Sequence, residues 1–226
     1  KAKIVLNNPD INDNPIEKYG GVGSYIDLNK GYFVVMHHPV TTEFEKSTHQ
    51  IRQSLIAIKK LLTENIQVII TYPNNDAGGK NIIQEINEWK KTNSKFKNLI
   101  VRKSLGRNLY YGILNLSKSK KIRIACVGNS SSGIKETAVF GCPTVNIGTR
   151  QKSRLRGSNV LDVSYVHKEI YNAIKKCLYD ERFRSKALHT KNPYGMGNAG
   201  KKIAKFISKI QLSKKVLQKK MTIKFK

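Results

Sequence analysis

Two hydrophobic periods alternate along the chain. Short β-branched or aromatic runs at residues 32–36, 68–71, 98–101, 122–127, 144–147 and 159–163 read as buried strands. Between them apolar residues repeat at helical spacing. Ile51, Leu55, Ile58 and Leu62 stripe a helix over 47–62, and Ile82, Ile83, Ile86 and Trp89 stripe another that opens near Ala77 and Gly78. Residues 109–116 read as a helix. So does the stretch carrying Val166, Ile170, Ala173, Ile174 and Cys177. A short helix over 134–140 is expected to turn Ile134, Ala138 and Val139 to a sheet, and Ile203, Phe206, Ile207 and Ile210 mark a terminal helix. Residues 3–6 read as one more strand and 7–25 as loop, from their Asn, Asp, Pro and Gly content. Residues 189–199 read as loop and 214–226 as a basic, mobile tail. The alternation predicts an α/β fold: a Rossmann-like parallel sheet with helices on both faces. Ligands in such sheets bind at the carboxyl ends of the strands. Segments 36–41, 72–76, 102–106, 127–133 and 147–150 all follow strands, which gathers the polar motifs at one edge.

Composition narrows the classes. The 226 residues suffice for one sizeable α/β domain with appendages. No long apolar run argues for a membrane span, and the start at Lys1 shows no secretory signal pattern. Cys126, Cys142 and Cys177 are odd in number and follow no metal spacing, which fits buried reduced thiols and a cytoplasmic protein. The net charge of +27 attracts acidic partners. Much of it is Lys on helix faces, and no nucleic-acid module or aromatic interleaving accompanies it, which weighs against nucleic acid.

The candidate chemistry centres on residues 127–156. Gly128–Asn129–Ser130–Ser131–Ser132–Gly133 is a small, polar turn between a strand and a helix. Free backbone N–H groups and the macrodipole at a helix start suit an anion, phosphate above all. The Ser130, Ser131 and Ser132 hydroxyls lie at the same turn, and Arg150, Arg154 and Arg156 follow the next strand as cations able to close over it. On the pattern alone, a phosphate site and an ordinary capped helix both remain open. Elsewhere, His38 ends the first strand before Pro39, Thr41 and Thr42. Asn74 and Asp76 follow the second strand, where turn-and-cap and ligand contact are both open. For Glu136, a helix-start acid and a hydroxyl-binding carboxylate are both open.

The sequence G-N-S-S-S-G-I-K-E at 128–136, followed by F-G-x-P-x-x-N-I-G-T-R-Q-x-x-R to Arg154, closely resembles the hydrolysing UDP-N-acetylglucosamine 2-epimerases, in particular their sialic-acid-type branch. The resemblance recurs at F-V-V-M-H-H-P-V-T-T-E (33–43), Y-P-N-N-D-A-G-G-K (72–80), K-S-L-G-R-N-L-Y (103–110) and N-P-Y-G-x-G-N-A (192–199), and spans about residues 1–210. It implies the C-terminal domain of a GT-B-type two-domain fold. Residues 1–30 would be the hinge and remnant of a first domain, 31–210 the UDP-binding domain and 211–226 the tail. It implies that His38 lies beside diphosphate and sugar, for acid catalysis or charge stabilisation. Asn74 and Asp76 would serve the uridine or ribose end, Ser130, Ser131 and Ser132 the diphosphate, Glu136 the ribose hydroxyls, and Arg150 and Arg154 the nucleotide. Ser104 and Met196 depart from residues common in the family.

The implied reaction eliminates UDP from UDP-N-acetylglucosamine and then hydrates the unsaturated sugar to N-acetylmannosamine. No metal or organic cofactor is called for. The acids that move the C2 proton belong to a first domain outside this sequence, so a separate N-terminal domain or partner chain is expected. Alternative readings are a non-catalytic UDP-sugar-binding module completed by such a partner, half of a GT-B-type glycosyltransferase, and a basic nucleic-acid binder. The exact sugar and the oligomeric state, homo-oligomer included, stay open.

Overall fold

The sheet follows from the apolar runs. The structure is a computed structural model that describes residues 31–119, 121–195 and 197–211. The strand expected at 3–6, the hinge at 1–30, Met196 and the tail from 212 onward lie outside the described residues. Six strands form one sheet: β1 (Tyr32–Met36), β2 (Gln67–Thr71), β3 (Leu99–Arg102), β4 (Ile124–Gly128), β5 (Thr144–Ile147) and β6 (Val160–Val163). Their order is β3-β2-β1-β4-β5-β6 and every pairing is parallel.

Side-chain parity splits the core in two. Phe33 and Val35, Val68 and Ile70, and Ala125 and Val127 face one side, where they pack with Ile51, Leu55 and Ile58 of α1 (Ser47–Thr63), Ile82 and Ile86 of α2 (Gly79–Thr92) and Ile170 and Ile174 of α6 (His167–Tyr179). Tyr32, Val34, Ile69, Ile100 and Cys126 face the other, against Leu109, Tyr110 and Ile113 of α3 (Gly106–Asn115) and Phe140 of α5 (Thr137–Phe140). Burial on both faces explains the near-continuous apolar strands.

Three local differences from the sequence expectation have physical causes. The helix expected over 134–140 is two single turns, α4 (Ser132–Lys135) and α5, with Glu136 between them at φ −108°, ψ −40°. Thr137 Oγ1 donates to the Gly133 carbonyl at 2.6 Å, taking an acceptor that helix continuation would use. A helix not expected, α7 (Glu181–Leu188), buries only Phe183, Arg184 and Ala187, and Asp180 caps it by accepting from the Phe183 N–H at 2.9 Å. The helix expected over 109–116 starts earlier, at Gly106, whose otherwise free N–H is taken up by Ser104 Oγ at 3.1 Å.

The chain divides into two units, Lys1–Tyr194 and Gly195–Lys226. The described part of the second is α8 (Ala199–Ile207), with Ile203, Phe206 and Ile207 on one face and Lys201, Lys202 and Lys205 on the other. No helix among the described residues is long and apolar enough to cross a membrane.

The strand order reverses between β1 and β4, which pair through Met36 and Gly128 at their carboxyl ends. Gly128 has φ +128°, and a Cβ there would lie 2.1 Å from the Met36 carbonyl oxygen. Glycine alone permits both the conformation and the approach. Gly128→Ala should therefore cost about 2–5 kcal/mol, summing backbone strain and overpacking. Urea unfolding followed by circular dichroism measures this, and an unchanged midpoint would mean that the two strand ends are not locked together.

Candidate functional site

At a reversal of strand order the loops leave neighbouring strands toward opposite faces and open a crevice. Here a cleft of about 560 Å³ opens beside the ends of β1, β2 and β3 and the start of α4, and His38, Asn74, Ser104, Tyr111, Ser132 and Glu136 are among the residues lining it.

Strand parity separates the two adjacent histidines. His37 continues the face of Phe33 and Val35, is 1% exposed, and its Nδ1 lies 3.3 Å from Ser54 Oγ on α1. His38 falls on the cleft side. Its Nδ1 accepts the Asn74 backbone N–H at 3.0 Å, so the proton of the neutral ring sits on Nε2. Burial first, then the nearby Arg150 guanidinium, pulls the His38 pKa down to about 4, against a smaller upward pull from Asp76. His38 is thus a neutral hydrogen-bond donor at neutral pH. A neutral donor ring suits charge stabilisation better than proton donation, the two roles that the resemblance implied.

Asp76 and Arg150 brace one another. Asp76 Oδ2 accepts from Asn74 Nδ2 at 2.6 Å and pairs with Arg150 Nη2 at 3.4 Å. Arg150 also donates from Nε to the Pro39 carbonyl at 3.2 Å and from Nη1 to the Asn129 carbonyl at 3.3 Å. Asp76 therefore holds neighbours in place and is the local counter-ion of Arg150.

Ser130 and Ser131 form the half-buried turn after β4. Ser130 Oγ accepts the Ser132 N–H at 3.3 Å. No hydrogen bond runs from the backbone N–H of Ser130 or Ser131 to another described residue. Ser132 turns instead toward Glu136, donating to its Oε2 at 2.6 Å, and Ser132 Oγ lies 2.8 Å from the Tyr110 hydroxyl. A hydroxyl has one proton, so Tyr110 donates to Ser132. Cys126 Sγ lies 3.6 Å behind Tyr110, and burial lifts its thiol pKa to about 12, which keeps it protonated. Tyr111 lies beside Glu136, and burial first, then the neighbouring carboxylate, raises its pKa. Donors thus converge on the Glu136 carboxylate, whose remaining lone pairs face the cleft.

The remaining arginines are placed differently. Arg154 is exposed on the turn after β5. Arg156, expected as a further cation over the anion, forms an ion pair with Asp162 of β6 and donates to the Gln151 carbonyl at 2.8 Å. Its charge is spent at the sheet edge. Ser104 Oγ accepts the Gly106 N–H at 3.1 Å and leaves its O–H to the cleft. Sequence reasoning passed over Asn129, Gln151, Tyr110 and Tyr111. The tyrosines read as part of a helix stripe, and nothing local distinguishes the other two. Cys126, Cys142 and Cys177 are free and buried.

The fold and the cleft define a Rossmann-like domain of the GT-B type with an anion-ready edge. Its backbone matches UDP-GlcNAc 2-epimerase from Neisseria meningitidis, solved bound to UDP-GlcNAc, with TM-score 0.71 and 16% identity over 92% of this chain and 52% of that one. The chain belongs to the UDP-N-acetylglucosamine 2-epimerase family, whose model matches residues 6–208. It is 32% identical over 177 residues to the UDP-N-acetylglucosamine 2-epimerase of Neisseria meningitidis, covering 76% of this chain and 43% of that protein. It is 29% identical to the UDP-N,N'-diacetylbacillosamine 2-epimerase (hydrolyzing) of Legionella pneumophila, covering 90% of this chain and 48% of that protein. The chain spans less than half the length of these curated relatives.

The buried histidines set a pH dependence. Burial, then the His38 and Arg150 charges, lowers the His37 pKa from 6.5 to about 3. Between these values the unfolded chain binds more protons than the folded one. The stability from neutral His37 is full above pH 6.5 and lost as the pH falls toward 3. At pH 5 the loss is about 2 kcal/mol. His37→Gln should recover roughly that amount between pH 7.5 and pH 5 in urea titrations. An equal pH slope in the variant would refute the assignment.

Proposed function

We propose that this chain is the UDP-binding half of a hydrolysing UDP-N-acetylglucosamine 2-epimerase, with residues 31–210 as its nucleotide-binding domain. The observation that carries the reading is the arrangement of two chemically opposite ends around one cleft. At one end the Glu136 carboxylate is held by Ser132 with acceptor lone pairs free, which suits the two hydroxyls of a ribose. At the other end His38 lines the cleft with its Nε2–H, and the Ser130–Ser131 turn and Arg150 lie next to it outside the lining, together a donor set that suits a diphosphate. Asn74 would meet the nucleoside side, and Asp76 would act through Asn74 and Arg150. Arg154 would reach the ligand only from its exposed turn. Ser132 would serve the ligand chiefly by orienting Glu136.

In the proposed reaction, UDP departs by elimination and water then adds to the sugar. His38 stabilises charge building on the leaving diphosphate by donating from a neutral ring. Removing the C2 proton needs a positioned base. Glu136 is committed to Ser132 and Asp76 to Asn74 and Arg150, so that base would come from the other half of the enzyme, in the same chain or in a partner. The ligand class is a UDP-linked 2-acetamido sugar, either N-acetylglucosamine or the diacetamido sugar named for the Legionella relative. A cytoplasmic location agrees with three buried thiols, and a place in making sialic-acid-type sugars agrees with the sequence motifs.

Titration calorimetry of UDP at two salt concentrations tests the reading. Glu136→Ala should weaken UDP about 100-fold or more, the value of two lost hydroxyl bonds to a charged acceptor. An affinity that salt abolishes and Glu136→Ala leaves unchanged would reduce the effect to attraction by the +27 charge.

A further inference from the structure

One buried side chain joins the loops that this reading assigns to the diphosphate. Asn129 is 0% exposed. Its Oδ1 accepts the His38 backbone N–H at 2.7 Å, and its Nδ2 donates to the His38 carbonyl at 2.7 Å. The two bonds copy a strand pairing with a side chain and reach across 91 residues of sequence. The backbone of Asn129 is held as firmly. Its N–H donates to the Met36 carbonyl at 3.2 Å, and its carbonyl accepts Gln151 Nε2 at 2.7 Å and Arg150 Nη1 at 3.3 Å.

We infer that Asn129 is a positioning residue for the proposed nucleotide site: it sets His38 through its side chain and Arg150 through its carbonyl. The inference rests on the UDP-binding reading for its ligand and on geometry alone for its effect on His38. The residue type follows from the task. An extended residue presents its own N–H and C=O side by side, and only a carboxamide matches both at once. Asn places that group beside its own backbone, while Gln would carry it one methylene too far. Once the His38 backbone is pinned, the ring nitrogen meets the Asn74 N–H and the Nε2–H is left for a ligand. Asn129 touches no reacting atom in this scheme and acts wholly through its neighbours.

The test uses the full chain. Two-bond ¹H–¹⁵N spectra report the His38 tautomer, calorimetry reports UDP affinity, and circular dichroism confirms folding. In Asn129→Ser the wild-type Nε2–H tautomer should give way to a mixture and UDP should bind about tenfold more weakly, the value of the lost pair of bonds. Leu61→Ala, a core change in α1 on the sheet face away from the cleft, should lower the melting temperature and leave the tautomer alone. A folded Asn129→Ser protein with the wild-type tautomer and UDP affinity within about twofold would overturn the inference. If that variant does not fold, hydrogen exchange of the His38 backbone N–H in the wild type decides. Protection equal to the strand amides upholds the inference, and exchange at loop speed overturns it. Absence of UDP binding in the wild type would refute the proposed function, while the tautomer and exchange readings would still judge Asn129.

Discussion

Met36 and Gly128 end adjacent parallel strands so closely that a Cβ at Gly128 would sit 2.1 Å from the Met36 carbonyl. That approach lets Asn129 reach the His38 backbone, and it seats Arg150 against the same carbonyl that Gln151 holds. Wider strand ends would carry the loops after β1 and β4 apart, and a long side chain such as Arg would be needed to bridge them. The short bridge is stiffer. A buried amide with both hydrogen bonds made loses little freedom and specifies a single geometry.

The electrostatics of the site follow from the same closeness. His38 stays neutral because it is partly buried beside Arg150, and Arg150 is stabilised by Asp76. A full positive charge on His38 would also set a second donor against the Asn74 N–H. Around His38 the site therefore sets one cation, paired with its counter-ion, beside a neutral donor, while Lys103 and Arg107 line the cleft nearer Tyr111 and Glu136. Most of the +27 charge lies elsewhere, on helix faces such as Lys59, Lys60, Lys90 and Lys91.

Much of the fold was legible in the sequence, for reasons that explain the exceptions. Strands 32–36 and 144–147 were read with the bounds they have, because Gly31 and His37 bracket the first and Pro143 and Gly148 the second. The helices with broad buried stripes, α1, α2 and α6, were found to within a few residues. α7 escaped because a buried Arg184 breaks its stripe, its charge met by Glu181 and its other end by the Ile122 carbonyl. The candidate site was legible as residue types gathered at one sheet edge. Who holds whom was not. The pairing of Asp76 with Arg150 and of Asn129 with His38 depends on contacts between distant parts of the chain, and that of Arg156 with Asp162 on how the loop after β5 folds back onto β6, none of which a local pattern carries.

The hydrogen bonds behind Glu136 run in one direction. Cys126 stays protonated at the back, Tyr110 gives to Ser132, and Ser132 gives to the carboxylate, so every proton points toward the same terminus. Glu136 can offer a guest only acceptors, while the Nε2–H of His38 offers only a proton. The cleft is therefore keyed like a plug: a guest with hydroxyls at one end and an anion at the other fits in one sense, and turned end for end it meets like against like at both contacts.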